Sequence, residues 1–179
     1  TTLAAAISGT GSLVKQGTGT LTLTGDNSHS GGTTISGGIL QVGNGSTAGS
    51  LAGNVLNNAT LAFNRSDTVT FGGTISGSGA LDKLGNNTLI LTGDNTYSGL
   101  TTIAAGTLQL GNGNTTGSIA GNVLNNGILA FNRSDDIVFG GNVDGSGAIS
   151  YMGPGKVTLT GTISNTGGTV LAGGTVQAG

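Results

Sequence analysis

The sequence predicts an all-β fold, a right-handed parallel β-helix, on three observations. Residues 7–74 and 75–142 align without gaps and are identical at 45 of 68 positions, and self-similarity on that scale points to a solenoid. Glycine supplies 38 of 179 residues while apolar types still reach 35%, so tight corners are plentiful and a core remains available. Apolar–polar–apolar triplets recur between clusters of Gly, Asn, Asp and Ser, the pattern of short strands joined by turns. Helix is disfavoured throughout: all seven acidic residues are Asp, and Thr, Val and Ile are common.

In the first unit the leading triplets are Leu21-Thr22-Leu23, Leu40-Gln41-Val42 and Leu61-Ala62-Phe63. The second unit repeats them as Leu89-Ile90-Leu91, Leu108-Gln109-Leu110 and Leu129-Ala130-Phe131. A partial third unit, residues 143–179, supplies Val157-Thr158-Leu159 and Val176. From one leader to the next the spacing is 19, 21 and 28 residues, repeated once and followed by another 19. With one leader per lap, this predicts about eight coils averaging about 23 residues, three per 68-residue unit, in a rod of roughly 40 Å. Between the leaders lie lesser strands at Thr33-Thr34-Ile35, Asn54-Val55-Leu56 and Val69-Thr70-Phe71, with counterparts 68 residues on. The inward column is then expected to read Leu21, Leu40, Leu61, Leu89, Leu108, Leu129, Val157 and Val176. Leu23, Phe63, Leu91, Phe131 and Leu159 join it in the core.

Composition narrows the function classes. A net charge of −2 and a pI near 4.8 leave no basic stripe for nucleic acid. Zero cysteines exclude a disulfide framework and a thiolate metal site. One proline and no strict Gly-X-Y period exclude collagen. The opening TTLAAAISG has no charged leader region, so residues 1–179 read as a single β-helix segment of a longer polypeptide.

The stretch KLGNNTLILTGDNTYSGLTTIAAGTLQLG, residues 83–111, resembles the passenger-associated β-strand repeat of bacterial autotransporters. LVKQGTGTLTLTGDNSHSGGTTISGGILQVG, residues 13–43, fits the same pattern, with His29 where the second copy has Tyr97. The third copy keeps its glycines and strands but carries Tyr151 in place of the lysine. The resemblance implies a β-helical passenger exported through the periplasm and threaded across the outer membrane by a barrel that these residues do not include. It also implies a role in passenger transport and folding.

Candidates for chemistry are few. Arg65-Ser66-Asp67 and Arg133-Ser134-Asp135 are the charge pairs at matched positions. Arg65, Asp67, Arg133 and Asp135 are therefore the candidate surface contacts, with a turn capped by Asp under its Arg as the plainer alternative. Asp26-Asn27 and Asp94-Asn95 suggest calcium, but they occur once per unit, whereas a calcium β-roll needs ligands in adjacent turns. His29, the only histidine, exchanges with Tyr97 in a turn, which predicts a semi-exposed corner. GNGSTAGS and GNGNTTGS lack the lysine and following helix of a phosphate loop. No catalytic, cofactor or metal site is expected.

These readings predict a non-catalytic, structural and adhesive segment of a cell-surface passenger. Its expected partners are host-surface molecules or copies of itself, including end-to-end association of the segment. A polysaccharide-processing enzyme is the alternative, but it needs several Asp with Lys or Arg on one face of adjacent coils. Asp135, Asp136 and Asp144 are expected to approach only across loops, with Lys156 on a later coil. An ice-binding face needs an outward threonine column, which the triplets do not supply.

Overall fold

Twenty-one short strands and no helix make up the computed structural model, which describes residues 1–179. Strands pair in parallel and wind into a β-solenoid of about nine turns. Each complete lap crosses three faces. Face one is an eight-stranded sheet running from Thr2–Leu3 through Thr20–Leu23, Ile39–Val42 and Thr60–Phe63 to Val143–Asp144. Face two is a six-stranded sheet from Val69–Phe71 through Thr88–Leu91 to Thr169–Leu171. The third face carries two sheets. The first has four strands, Leu13–Lys15 to Ile75–Ser76, and the second has three, Ile137–Phe139, Lys156–Leu159 and Thr175–Ala178.

The register corrects the expected coil. On face one Leu21 pairs with Leu40, and Leu40 with Leu61. The next partners are Leu81, Thr101, Val123 and Val143. Laps are therefore about 20 residues long, not about 23, and Leu89 does not follow Leu61. Leu89 lies on face two, in a column of Val69, Leu89, Leu108, Leu129 and Ile149. Val157 lies on face three, between Ile137 and Val176. The 28-residue interval holds one whole lap plus eight residues. That lap was hidden because its strand, Ala80–Lys83, puts Asp82 outward and Lys83 inward, which breaks the apolar–polar–apolar signature.

A shift of 68 residues is thus three laps plus eight residues, and it carries every residue to the next face. Thr20–Leu23 sits on face one, Thr88–Leu91 on face two and Lys156–Leu159 on face three. The repeat is a screw operation of about three and a third turns, so the three-coil unit of the sequence reading is superseded. Copies lie about 16 Å apart along the axis at one strand width per lap and cannot touch.

Leu23, Leu40, Leu61, Phe63, Leu89, Leu91, Leu108, Leu129, Phe131 and Val157 are buried, while Leu21 and Leu159 are partly buried against the same cluster. Each fully buried side chain of this kind contributes about 1.5–3 kcal/mol. The few aromatics pack at corners: the rings of Phe63 and Phe71 lie 5.7 Å apart, and those of Phe131 and Phe139 lie 5.5 Å apart.

Candidate functional site

The NRSD turns build two clamps. After Phe63 the chain leaves its strand and Arg65 folds back over the turn. Arg65 Nε and Nη2 donate to the two carboxylate oxygens of Asp67 at 2.9 and 2.8 Å, and Nη1 donates to the carbonyl of Gly49. Gly49 lies in the GNGSTAGS loop of the preceding lap. Its φ of +99° is not open to most side chains, and a Cβ there would run into the Leu23 carbonyl. Arg133 repeats the arrangement, donating to Asp135 at 2.8 and 2.7 Å and to Gly117 O at 3.2 Å. Arg133 has further partners in the Thr115 carbonyl and in Asp94 Oδ1, the latter at 3.4 Å.

The arginines are buried, 8% and 7% exposed, while their aspartates reach solvent. Their guanidinium groups face the preceding lap, so what Asp67 and Asp135 present outward is already neutralised from behind. Hydrogen bonds from Arg65 hold the Asp67 carboxyl below the usual carboxylate range, and Arg133 does the same for Asp135. The Asp135 hydrogen bond in turn raises Arg133.

A second set of polar residues lies inside the coil, including Asn27 and Asn95, which the sequence offered as calcium candidates, and two lysines it did not assign to the interior. Asn27 Nδ2 donates to Gly25 O and Ser50 O at 2.9 and 2.8 Å, while its Oδ1 accepts from Ile7 N at 2.9 Å. Asn95 makes the matching three bonds with Gly93, Ser118 and Ile75. These asparagines are buried and staple successive laps. Lys15 Nζ donates to the carbonyls of Gln16, Gly17 and Gly37 at 2.8–2.9 Å. Lys83 Nζ caps Gly85 and Ala105 in the same manner, and its burial lowers its pKa to about 8. The signal for all of these was present: identical polar residues at positions matched 68 residues apart.

His29 and Tyr97 are buried, at 1% and 0% exposure, which corrects the expected semi-exposed corner. Each ring reaches a threonine four residues on. His29 Nε2 lies 2.9 Å from Thr33 Oγ1, and Tyr97 Oη lies 2.6 Å from Thr101 Oγ1.

Around the second clamp a crevice of about 350 Å³ opens on face three. Ile119, Ile137 and Phe139 line its apolar part, and Asp94, Asp135 and Asp136 its rim. Lys156 Nζ stands 3.9 Å from Asp136, so charged groups of adjacent laps do converge here. Asp144 is elsewhere, outward on face one. Every rim carboxylate is engaged: Asp94 by Gly117 N and Ser118 Oγ, Asp135 by Arg133, and Asp136 by Lys156 N at 2.9 Å. Each rim carboxylate thus has at least one fixed partner that sets its orientation at the crevice.

Comparison with known proteins matches the passenger-associated-transport-repeat family at residues 13–42, 81–110 and 152–178. The first match begins with the Leu13–Lys15 strand on face three and the second in the Ala80–Lys83 strand on face one. The third begins just after the Ala148–Tyr151 strand on face two. The chain is also similar to the adhesin BmaC autotransporter of Brucella suis biovar 1 (strain 1330), with 40% identity over 170 residues. That alignment covers 83% of this chain and 5% of the relative, so the chain spans about one twentieth of the relative's length. No solved structure matches.

Proposed function

The chain is built on three passenger-associated transport repeats of the kind found in autotransporter passengers, and from that premise we propose that it is a non-catalytic rod segment of a secreted, cell-surface adhesin. The observation that carries this reading is the similarity to an autotransporter named as an adhesin, over a uniform solenoid. The segment serves as a stalk and as an adhesive surface toward host molecules or neighbouring copies. Its repeats support passenger export and folding, and its terminal laps associate end to end where further coils do not cover them.

The test is to display the full-length parent on cells with and without residues 1–179, at matched surface amounts. Host-cell binding and cell aggregation should both fall on deletion; unchanged binding and aggregation remove the adhesive role, and surface yield that is unchanged at equal expression, measured before the amounts are matched, removes the transport role. The convergence of Asp136 and Lys156 favours examining the enzyme reading too. Incubation with acidic glycans is expected to release no product.

A further inference from the structure

The clearest unfilled feature is a sheet edge inside the rod, away from either end. Ile137–Phe139 is the outermost strand of its three-stranded sheet and pairs only with Lys156–Leu159. In a parallel ladder alternate residues bond to opposite neighbours. Phe139 O accepts from Thr160 N at 3.0 Å, so Ile137 and Phe139 bond forward and the amide and carbonyl of Val138 point to the preceding lap. That lap has no strand there, only the loop around Ser118 and Ile119, and no backbone hydrogen bond joins it to Val138. Val138 is 70% exposed, and its strand forms one wall of the crevice.

The charge of the crevice indicates what fits. The side chains of Asp94, Asp135 and Asp136 are 56%, 36% and 69% exposed, whereas that of Arg133 is 7% exposed and sealed behind them. Lys156, 40% exposed, stands 3.9 Å from Asp136, so with Arg133 it offsets two of the three carboxylates and the crevice keeps a net negative charge above an apolar wall. Three features therefore coincide: an unpaired strand edge, a rim of exposed carboxylates and an apolar wall formed by Ile119 and Phe139.

We propose that this crevice docks an extended, basic peptide segment of a partner protein by strand addition to the Ile137–Phe139 edge. The peptide backbone pairs with Val138. A lysine or arginine side chain lies among Asp94, Asp135 and Asp136, and an alternate apolar side chain rests on Ile119. The edge of the first copy, Val69–Phe71, is likewise terminal in its sheet, but Thr68 replaces Asp136 there, so it lacks part of the acidic rim. This inference rests on the adhesive reading and gives it a partner class, yet the two fail separately. The deletion assay reports cell binding, and the titration below reports the crevice alone.

The experiment is an amide chemical-shift titration of the 179-residue chain with a capped five-residue peptide, threonine and valine around a central lysine. Shifts should concentrate at residues 118–119 and 136–139. Replacing the peptide's lysine by glutamate should abolish them. Val138→Pro removes the free backbone donor of the strand edge without touching a ladder bond. It should weaken binding ~10-fold or more, while Thr70→Pro on the other edge changes nothing. Asp136→Asn should weaken it ~3-fold and flatten its salt dependence. Circular dichroism of each variant shows whether the coils survive. The proposal fails if β-strand amides 137–139 stay unmoved at millimolar peptide, or if the glutamate peptide binds equally. It also fails if shifts fall on the terminal laps, or if the crevice amides move with protein concentration alone, which would make a second copy the occupant.

Discussion

Residues 53–67 and 121–135 share nearly one sequence and occupy different faces. Thr60–Phe63 lies on face one and its counterpart, Ile128–Arg133, on face two. Even so, Asn57 and Asn125 each donate to a carbonyl 23 residues on, at 2.8 Å, and both arginines fold onto the glycine loop 16 residues earlier. Local sequence sets these bonds, and a solenoid with three comparable faces accepts the same unit after a third of a turn. The copies differ in what meets them from other laps. Arg133 reaches Asp94, whereas Arg65 has no ion pair with the matching Asp26.

The largest expected effect breaks the core column. Leu89 is fully buried on face two, while its counterpart Leu21 is only partly buried near the first lap. Leu89→Asp puts a carboxylate where no partner waits and should cost about 4 kcal/mol or more. Leu21→Asp should cost clearly less. Thermal melts followed by circular dichroism compare the two, and equal losses would mean that depth in the column does not decide stability.

Next come the clamps. Arg133→Ala removes contacts to Asp135, Gly117, Thr115 and Asp94, and should cost about 2–3 kcal/mol. Arg65→Ala loses fewer partners and should cost about 1 kcal/mol less. Chemical denaturation of both variants measures the gap, and a vanishing gap would make the contacts of Arg133 to Thr115 and Asp94 idle.

Titration sharpens the same contrast. The carboxyls of Asp67 and Asp135 have folded pKa values below their unfolded ones. Their contribution is therefore present above about pH 4 and is lost as pH falls through the lower folded values. Asp135→Asn should flatten the acid limb of a melting-temperature profile. Lys83 works at the other end. Its pKa is lowered to about 8 by burial, so the unfolded chain holds the proton longer, and stability rises with pH from about 8 to about 10.4. Lys83→Met should remove that alkaline rise and leave the acid limb intact.

Much of the fold was legible because leucine and valine triplets advertise a buried strand wherever the outward residue is polar. What stayed hidden in the first 28-residue gap was a lap with a polar inward position: Lys83 is buried and donates to carbonyls of its own turn and of the next lap. In the second gap Ile149-Ser150-Tyr151 keeps the alternation but ends in a tyrosine rather than an aliphatic residue, and it was passed over. Arg65 and Arg133 were visible as a matched pair, but their target loops lie on the preceding lap, a relation that becomes readable only with the true lap length. The crevice was not legible at all. It arises where a loop, rather than a strand, fills the lap before Ile137–Phe139.

The smallest effect compares two buried phenols. Tyr97 Oη pairs with Thr101 at 2.6 Å, whereas Tyr151 Oη is buried with no partner. Burial pushes both phenols up, that of Tyr151 to about 12, so neither ionises near neutral pH. Tyr97→Phe should cost about 1 kcal/mol, because it strands the Thr101 hydroxyl. Tyr151→Phe should be neutral or slightly stabilising, since it removes an unpaired oxygen while keeping the ring stacked 5.4 Å from Phe131. Tyr151 occupies the position that Lys15 and Lys83 use to cap turn carbonyls in the other copies. If Tyr151→Phe destabilises as much as Tyr97→Phe, the hydroxyl has taken over that capping and the third copy's corner is held like the first two.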